Sequence, residues 1–398
     1  MAAAPADPAE FWAGPWRDAL ARHGDRAADD ADRVGVAPLA IAVDDDVWTL
    51  RRGAAGIEVV AGTHAPVTIM LDRDAFADLV TERRTALGLV IGARAFGDPG
   101  ATDGFCTWDP VLRSVLDGRG VHRAGEVAVR GSDGGPLDLD QRFRLGDPGA
   151  AHFLAEAGFL LLADVLDDAE IDALDADLKR AVADARPDDG ESWWAATGTG
   201  ERYPCRILNF ERKAPAMPAV FEDPRFLAIG EILDDGHRPG DPFGEHFAQV
   251  TAEGLLKRVG SVEGLACLPW HKDCDRGGHA MYCSGLTIGI CLTPVDDAHG
   301  GLDVMAGSHR ANIARDQIDR AGLPSVTLRA KRGDLTVHLS CALHRSTHPT
   351  TDERRVIYTG FTLPRADEGA AAAAQSRLEA ERAAIGGPSR RGRLSGER

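Results

Sequence analysis

The chain has 398 residues, 44% hydrophobic and 27% charged, which is the balance of a soluble globular protein and not of a membrane or disordered one. Its formal net charge of −17 argues against a nucleic-acid binder, because neutralising phosphates needs a basic surface. There is no cationic, signal-like start and no apolar run of about 18 residues to span a membrane. Seven cysteines (106, 205, 267, 274, 283, 291 and 341) lie scattered without a CxxC pair, which points to reduced thiols and a cytoplasmic protein.

At this length two domains and a tail are expected. Pro8 to His23 reads as an amphipathic helix, with Phe11, Trp12, Trp16, Leu20 and His23 at helical spacing. Asp25 to Arg33 reads as a charged loop or short helix. Strand-like runs follow at Leu39–Val43, Val47–Arg51, Ile57–Ala61 and Val67–Leu71, separated by turn residues. Asp72 or Asp74 can cap a helix carrying Phe76, Leu79 and Val80, and a further helical run spans Asp109 to Asp117. Strands followed by helices make an α+β pattern. Val121 to Phe143 holds Gly-Ser-Asp-Gly-Gly-Pro at 131–136, a linker.

Beyond it, Ala151 to Gly158 reads as a short helix, followed by a buried strand through Leu162. An acidic cap at Asp167–Glu170 then opens a helix with Ile171, Leu174, Leu178 and Val182 on one face. Pro187 to Gly200 reads as a polar loop. Its Trp193-Trp194 pair either covers a substrate or pins the loop to the core. Tyr203 to Phe210 has a strand pattern, with Arg206 and Asn209 as surface residues or as carboxylate binders. Val220 to Leu233 is a helix, His237 to Gly244 is turn-rich, and Phe247 to Val259 is strand-like or mixed.

The chemistry concentrates between Pro269 and Arg355. On an extended segment, residues i and i+2 point to the same side, so His271 and Asp273 of Pro-Trp-His-Lys-Asp can reach one metal. A neutral imidazole and a carboxylate suit iron(II), with a further histidine supplied from elsewhere in the fold. His338, His344 and His348 all compete for that place. The cysteines around this segment read as small-residue packing.

Several motifs together resemble the phytanoyl-CoA dioxygenase family over residues 150 to 364. They are the helix, Gly-Phe, apolar strand and acidic cap of 151–182, and Gly301-Leu302 leading to Ala306-Gly307-Ser308-His309, where the family has Pro-Gly-Ser-His. Gly333-Asp334 and an apolar strand then lead to His344 and Ser346. The resemblance implies that His271, Asp273 and His344 bind Fe(II). It also implies that Arg355, eleven residues after His344, holds the distal carboxylate of the cosubstrate 2-oxoglutarate with help from Ser346. A planar guanidinium suits that bidentate grip, and Arg354 should then face outward. O2 is the second cosubstrate, and succinate and CO2 are released as substrate is hydroxylated. Asp273 speaks against the halogenating members, which lack the carboxylate.

Residues 30 to 122 resemble the sterol carrier protein-like lipid-binding fold. The carrying residues are Trp48-Thr49-Leu50, Val67–Leu71, Ala75–Leu79 and Phe96-Gly97-Asp98. The expected fold is thus an α+β N-terminal domain followed by a mainly-β double-stranded β-helix (jelly-roll) with flanking helices. The expected domains are 1–125, lipid-binding-type; 126–145, linker; 146–365, catalytic; and 366–398, a helix (370–384) and a basic tail. The substrate is a small or acyl/lipid-like molecule, and nothing specifies an oligomeric state. Two other readings compete: a lipid carrier with an inactive jelly-roll, and a cupin-like metalloprotein that uses no 2-oxoglutarate.

Overall fold

The computed structural model describes residues 7–82, 84–240, 250–264, 266–276 and 285–363. The expected C-terminal helix and basic tail, Cys283 and the whole stretch at 241–249 lie outside these residues. Contacts divide the chain into two compact units, one of Met1–Val127, Cys274–Tyr282 and Arg310–Leu323, the other of Ala128–Asp273, Cys283–His309 and Pro324–Arg398.

The first unit opens with α1 (Pro8–Ala13) and α2 (Pro15–Val34). The expected single helix is split at Gly14-Pro15, where proline occupies the first turn of the second helix and a helix continued through it would lose a hydrogen bond. The second piece then runs through the charged stretch that had read as a loop or short helix, with Ala27 and Ala31 buried beneath its acidic face. Strands β1 (Leu39–Val43), β2 (Asp46–Arg52), β3 (Ile57–Ala61) and β4 (Thr68–Leu71) follow. Then come α3 (Arg73–Val80), α4 (Ala86–Ile91), β5 (Ala95–Gly97) and α5 (Ala101–Asp117). The sheet order is β3-β2-β1-β4-β5, with β1 and β4 parallel. Trp16, Phe76, Phe105 and Trp108 fill one core with Leu39, Ile41, Leu50 and Ile69 from the sheet. The sequence pattern missed α4 and the first two turns of α5.

The second unit begins with α6 (Ala150–Ala157), β6 (Phe159–Leu162) and α7 (Asp168–Asp184). It continues with β7 (Ser192–Thr197), β8 (Arg202–Ile207), α8 (Met217–Glu222), α9 (Pro224–Gly230) and β9 (Arg238–Pro239). The remaining strands are β10 (Glu253–Lys257), β11 (Ser261–Glu263), β12 (Gly285–Cys291), β13 (Leu302–Met305), β14 (Ser325–Leu328), β15 (Leu335–Leu339), β16 (His344–Ser346) and β17 (Arg354–Thr362). Among the described residues they form two antiparallel sheets. The larger runs β11-β7-β8-β10-β17-β12-β15-β6, with β9 also on β17, and the smaller is β14-β13-β16. Two antiparallel sheets of this kind are consistent with a jelly-roll.

Two local readings differ from the structure, and a third is sharpened by it. Trp193 and Trp194 lie on β7, not in a loop, and Trp193 is buried with the Arg206 guanidinium 5.1 Å from its ring centre. The expected helix over 220–233 is two helices, interrupted where the Asp223 side chain accepts the Arg225 N–H and caps the helix that Pro224 opens. The Asp167 cap of α7 is a full capping box with Glu170, so two otherwise orphaned N–H groups are satisfied reciprocally. Among the described residues, no helix is long and apolar enough to cross a membrane.

The junction between α6 and β6 is tight. Gly158 closes the helix at φ +82°, and a Cβ there would run into the His309 ring. Gly158→Ala should therefore lower stability by about 1–3 kcal/mol. A drop in the urea midpoint at unchanged slope would show it; an unchanged midpoint would contradict the tight junction.

Candidate metal centre

His271 and His344 meet backbone to backbone. The His271 N–H donates to the His344 carbonyl at 2.9 Å, and the His344 N–H donates back at 3.0 Å. Asp273 opens a 3-10 turn (Asp273–Arg276), so the His-x-Asp pair converges through a turn at the end of the bridge, not along a continuous strand. His344 is the first residue of β16 and is buried. One ligand atom from each of His271, Asp273 and His344 lies within 4.8 Å of the others.

The imidazoles are oriented from behind. His271 Nδ1 lies 2.8 Å from the Pro269 carbonyl oxygen, and His344 Nδ1 lies 2.9 Å from that of Ala342. A carbonyl only accepts, so each Nδ1 carries the proton and each Nε2 offers a lone pair. Those Nε2 atoms sit 3.6 and 3.5 Å from the same oxygen, Asp273 Oδ1. Two neutral imidazoles and a carboxylate converging in this way form a 2-His-1-carboxylate set suited to non-haem iron(II) with open coordination positions.

The other carboxylate oxygen is held separately. Thr287 Oγ1 on β12 donates to Asp273 Oδ2 at 3.1 Å, and His338 Nε2 on β15 lies 3.2 Å from it. Thr287 and His338 are direct cross-strand partners. Burial pushes the Asp273 carboxyl up, but His344, His271 and His338 together hold it well below the usual carboxylate range. Burial, and then His344, push the fully enclosed His338 down, which keeps it neutral as a donor. His338 therefore stands behind the carboxylate, whereas the sequence pattern had only set it aside as a ligand. His348 lies outside the cluster, with Nδ1 3.3 Å from the Cys267 thiol.

The two arginines are placed opposite to the expectation. Strand β17 pairs with β12 so that Gly360 faces Thr287, and every second residue back from Gly360 shares the face of Thr287, whose hydroxyl bonds Asp273. That parity selects Tyr358, Val356 and Arg354. Arg354 is fully buried, with Nη1 3.4 and 3.3 Å from the carbonyl oxygens of Gly300 and Gly301, and Nη2 3.3 Å from the Tyr358 hydroxyl. Arg355 points to the other side, where Asp175 of α7 takes its guanidinium at 2.6 and 3.2 Å and Glu353 takes a third nitrogen. Its charge is already matched, so the expected place of Arg355 on the metal-facing side is corrected. Ser346 lies beside the same backbone, paired with Leu302, and its hydroxyl accepts the Leu268 N–H at 3.1 Å.

Two interior charges, Glu253 and Lys257, escaped the sequence reading, and Arg206, expected either at the surface or on a carboxylate, pairs with the first of them. Arg206 lies on β8 and Glu253 on β10, and Lys257, at the end of β10, has an entirely buried side chain.

Residues 154–357, just over half of the chain, match the family model described as Phytanoyl-CoA dioxygenase (PhyH). No curated protein matches the sequence. Among solved structures, the chain is similar to AviO1 from Streptomyces viridochromogenes Tue57, at 22% identity over 56% of this chain and 97% of that one, with a TM-score of 0.44. It is also similar to the alpha-ketoglutarate-dependent epimerase SnoN from nogalamycin biosynthesis, at 19% identity over 55% and 82%, with a TM-score of 0.42. A third is EctD from S. alaskensis with 2-oxoglutarate and 5-hydroxyectoine, at 16% identity over 61% and 83%, with a TM-score of 0.45. At these scores none of the three carries an argument of its own.

Groups that orient a metal-binding carboxylate typically contribute about 10–100-fold to metal affinity. His338→Leu should weaken divalent-metal binding by that order, measured by competition with a fluorescent chelator. An affinity equal to wild type would mean that His338 merely fills space.

Proposed function

Given that the chain belongs to the phytanoyl-CoA dioxygenase family and is an iron(II)/2-oxoglutarate-dependent dioxygenase, we propose that it hydroxylates a small or acyl/lipid-like molecule with His271, Asp273 and His344 as its iron ligands. The observation that carries this is the convergence of two Nε2 lone pairs on one oxygen of a carboxylate whose other oxygen is held from behind. An iron(II) held by these three side chains would supply O2 activation coupled to oxidative decarboxylation of 2-oxoglutarate, with one oxygen atom going to succinate and the other to the product alcohol.

The remaining work falls to side chains. Arg354, not Arg355, holds the distal carboxylate of 2-oxoglutarate, and Ser346 adds its hydroxyl. The support is position: the Arg354 guanidinium lies against Gly300 and Gly301, and Gly301 is hydrogen-bonded to Thr347, three residues after His344. Tyr358 Oη orients the guanidinium. Burial of Arg354 removes competing water, which strengthens a charge-assisted pair. The triad with its Nδ1–H anchors speaks against a carrier with a dead jelly-roll, and buried Arg354 against a metalloprotein that uses no 2-oxoglutarate.

For the first unit we infer a lipid-binding-type domain over residues 1–125, appended through 126–145 to a catalytic domain over 146–365. It is supported by Met70 and Phe96, cross-strand partners exposed on the sheet face away from the core. Acyl chains co-purifying with the native protein would support it, and an empty mass spectrum together with no fatty-acid binding would oppose it. Seven cysteines scattered without a CxxC pair support a cytoplasmic location.

Anaerobic titration with iron(II) and 2-oxoglutarate, followed by a substrate screen that reads succinate, tests the main reading. Succinate formation should be lost in His271→Ala. Arg354→Met should abolish cosubstrate binding, whereas Arg355→Met should keep it while losing some stability, because Asp175 is left with Lys179 alone and Glu353 loses its partner. The reverse pattern would return the anchor to Arg355.

A further inference from the structure

Lys257 and Arg354 are direct partners across β10 and β17. Both side chains are 0% exposed, and among the described residues Lys257 Nζ has no hydrogen-bond partner. The next strand adds Arg206, opposite Leu255 and ion-paired with Glu253. The patch thus brings three cationic side chains to one carboxylate.

Two adjacent buried cations without an anion are unfavourable, since each loses hydration and each repels the other. A core strand ending in lysine beside arginine makes physical sense when an anion completes it. The groups facing Lys257 are Arg354 from β17, Arg206 and Cys205 from β8, and Cys267 from the segment after β11. Burial first, and then Arg354, push the Lys257 ammonium down to about 7, while the two thiols act in the opposite direction but more weakly. Cys267 offers no ready thiolate, because burial pushes its own thiol up.

We propose that Lys257 is a second cation for the distal carboxylate of 2-oxoglutarate, and that it takes up a proton as the carboxylate arrives, coupling cosubstrate affinity to pH across the neutral range. This rests on the 2-oxoglutarate reading of the site. The sign follows from linkage. A carboxylate favours charged lysine, so binding raises the affinity of Lys257 for its proton. Below the value for the empty site the lysine is already charged, and affinity is flat. Above it each binding event takes up as much as one proton, and affinity falls by at most about tenfold per pH unit.

The iron(II)-loaded protein, titrated anaerobically with 2-oxoglutarate in buffers of different ionisation enthalpy, reads this directly by calorimetry. At pH 8 the wild type should take up close to one proton. Lys257→Met should bind at least tenfold more weakly at pH 6.5, take up no such proton, and show an affinity independent of pH between 6.5 and 8.5. Lys257→Arg, charged throughout, should retain binding and lose the pH dependence, which a purely structural role for Lys257 would not produce. Iron affinity should be unchanged in both variants. Wild-type affinity and proton uptake in Lys257→Met would overturn the proposal while leaving the cosubstrate reading intact. A wild type that binds no 2-oxoglutarate at any pH would overturn both.

Discussion

The carboxylate of Asp273 is where the second unit's strands come together. One oxygen faces His271 and His344, and the other is held by Thr287 and His338. Those partners come from the bridge at 271, from β16, from β12 and from β15. The position of one side chain therefore depends on the register of several strands at once. A rigid sheet can hold ligands to a few tenths of an ångström where a loop cannot, and a metal centre with open positions needs that accuracy.

Much of this was legible because the chemistry is local. His271 and Asp273 are two residues apart, and the Gly-Asp turn with its following strand marked the region of His344. The strand boundaries around 286–292 and 335–339 also follow from apolar runs bounded by turn residues. The choice between Arg354 and Arg355 was not legible in the same way. Alternation says that neighbours face opposite sides, but β17 lies between β10 and β12 and is buried on both faces, so its composition does not say which side is inside. Only the pairing of Gly360 with Thr287 decides it, and pairing is a property of two distant segments.

The same limit explains the other differences. The split at Gly14-Pro15 and the break at Asp223-Pro224 were written in the sequence, as prolines that favour the first turn of a helix. The strand at Trp193-Trp194 was hidden by polar and glycine-rich flanks. It becomes a strand because Arg206 stacks on Trp193 and β8 supplies its ladder. Lys257 was invisible as an interior residue because a lysine at the end of an apolar run ordinarily marks a surface.

The paired amides of His271 and His344 also bear on how the site is assembled. The two residues are separated by 72 others, yet their main chains already exchange both hydrogen bonds. The main-chain bridge thus shares in closing that long segment, a cost that grows only slowly with its length. Two of the three converging side chains are tied to each other through their backbones as well as through Asp273, so a shift in one carries the other with it.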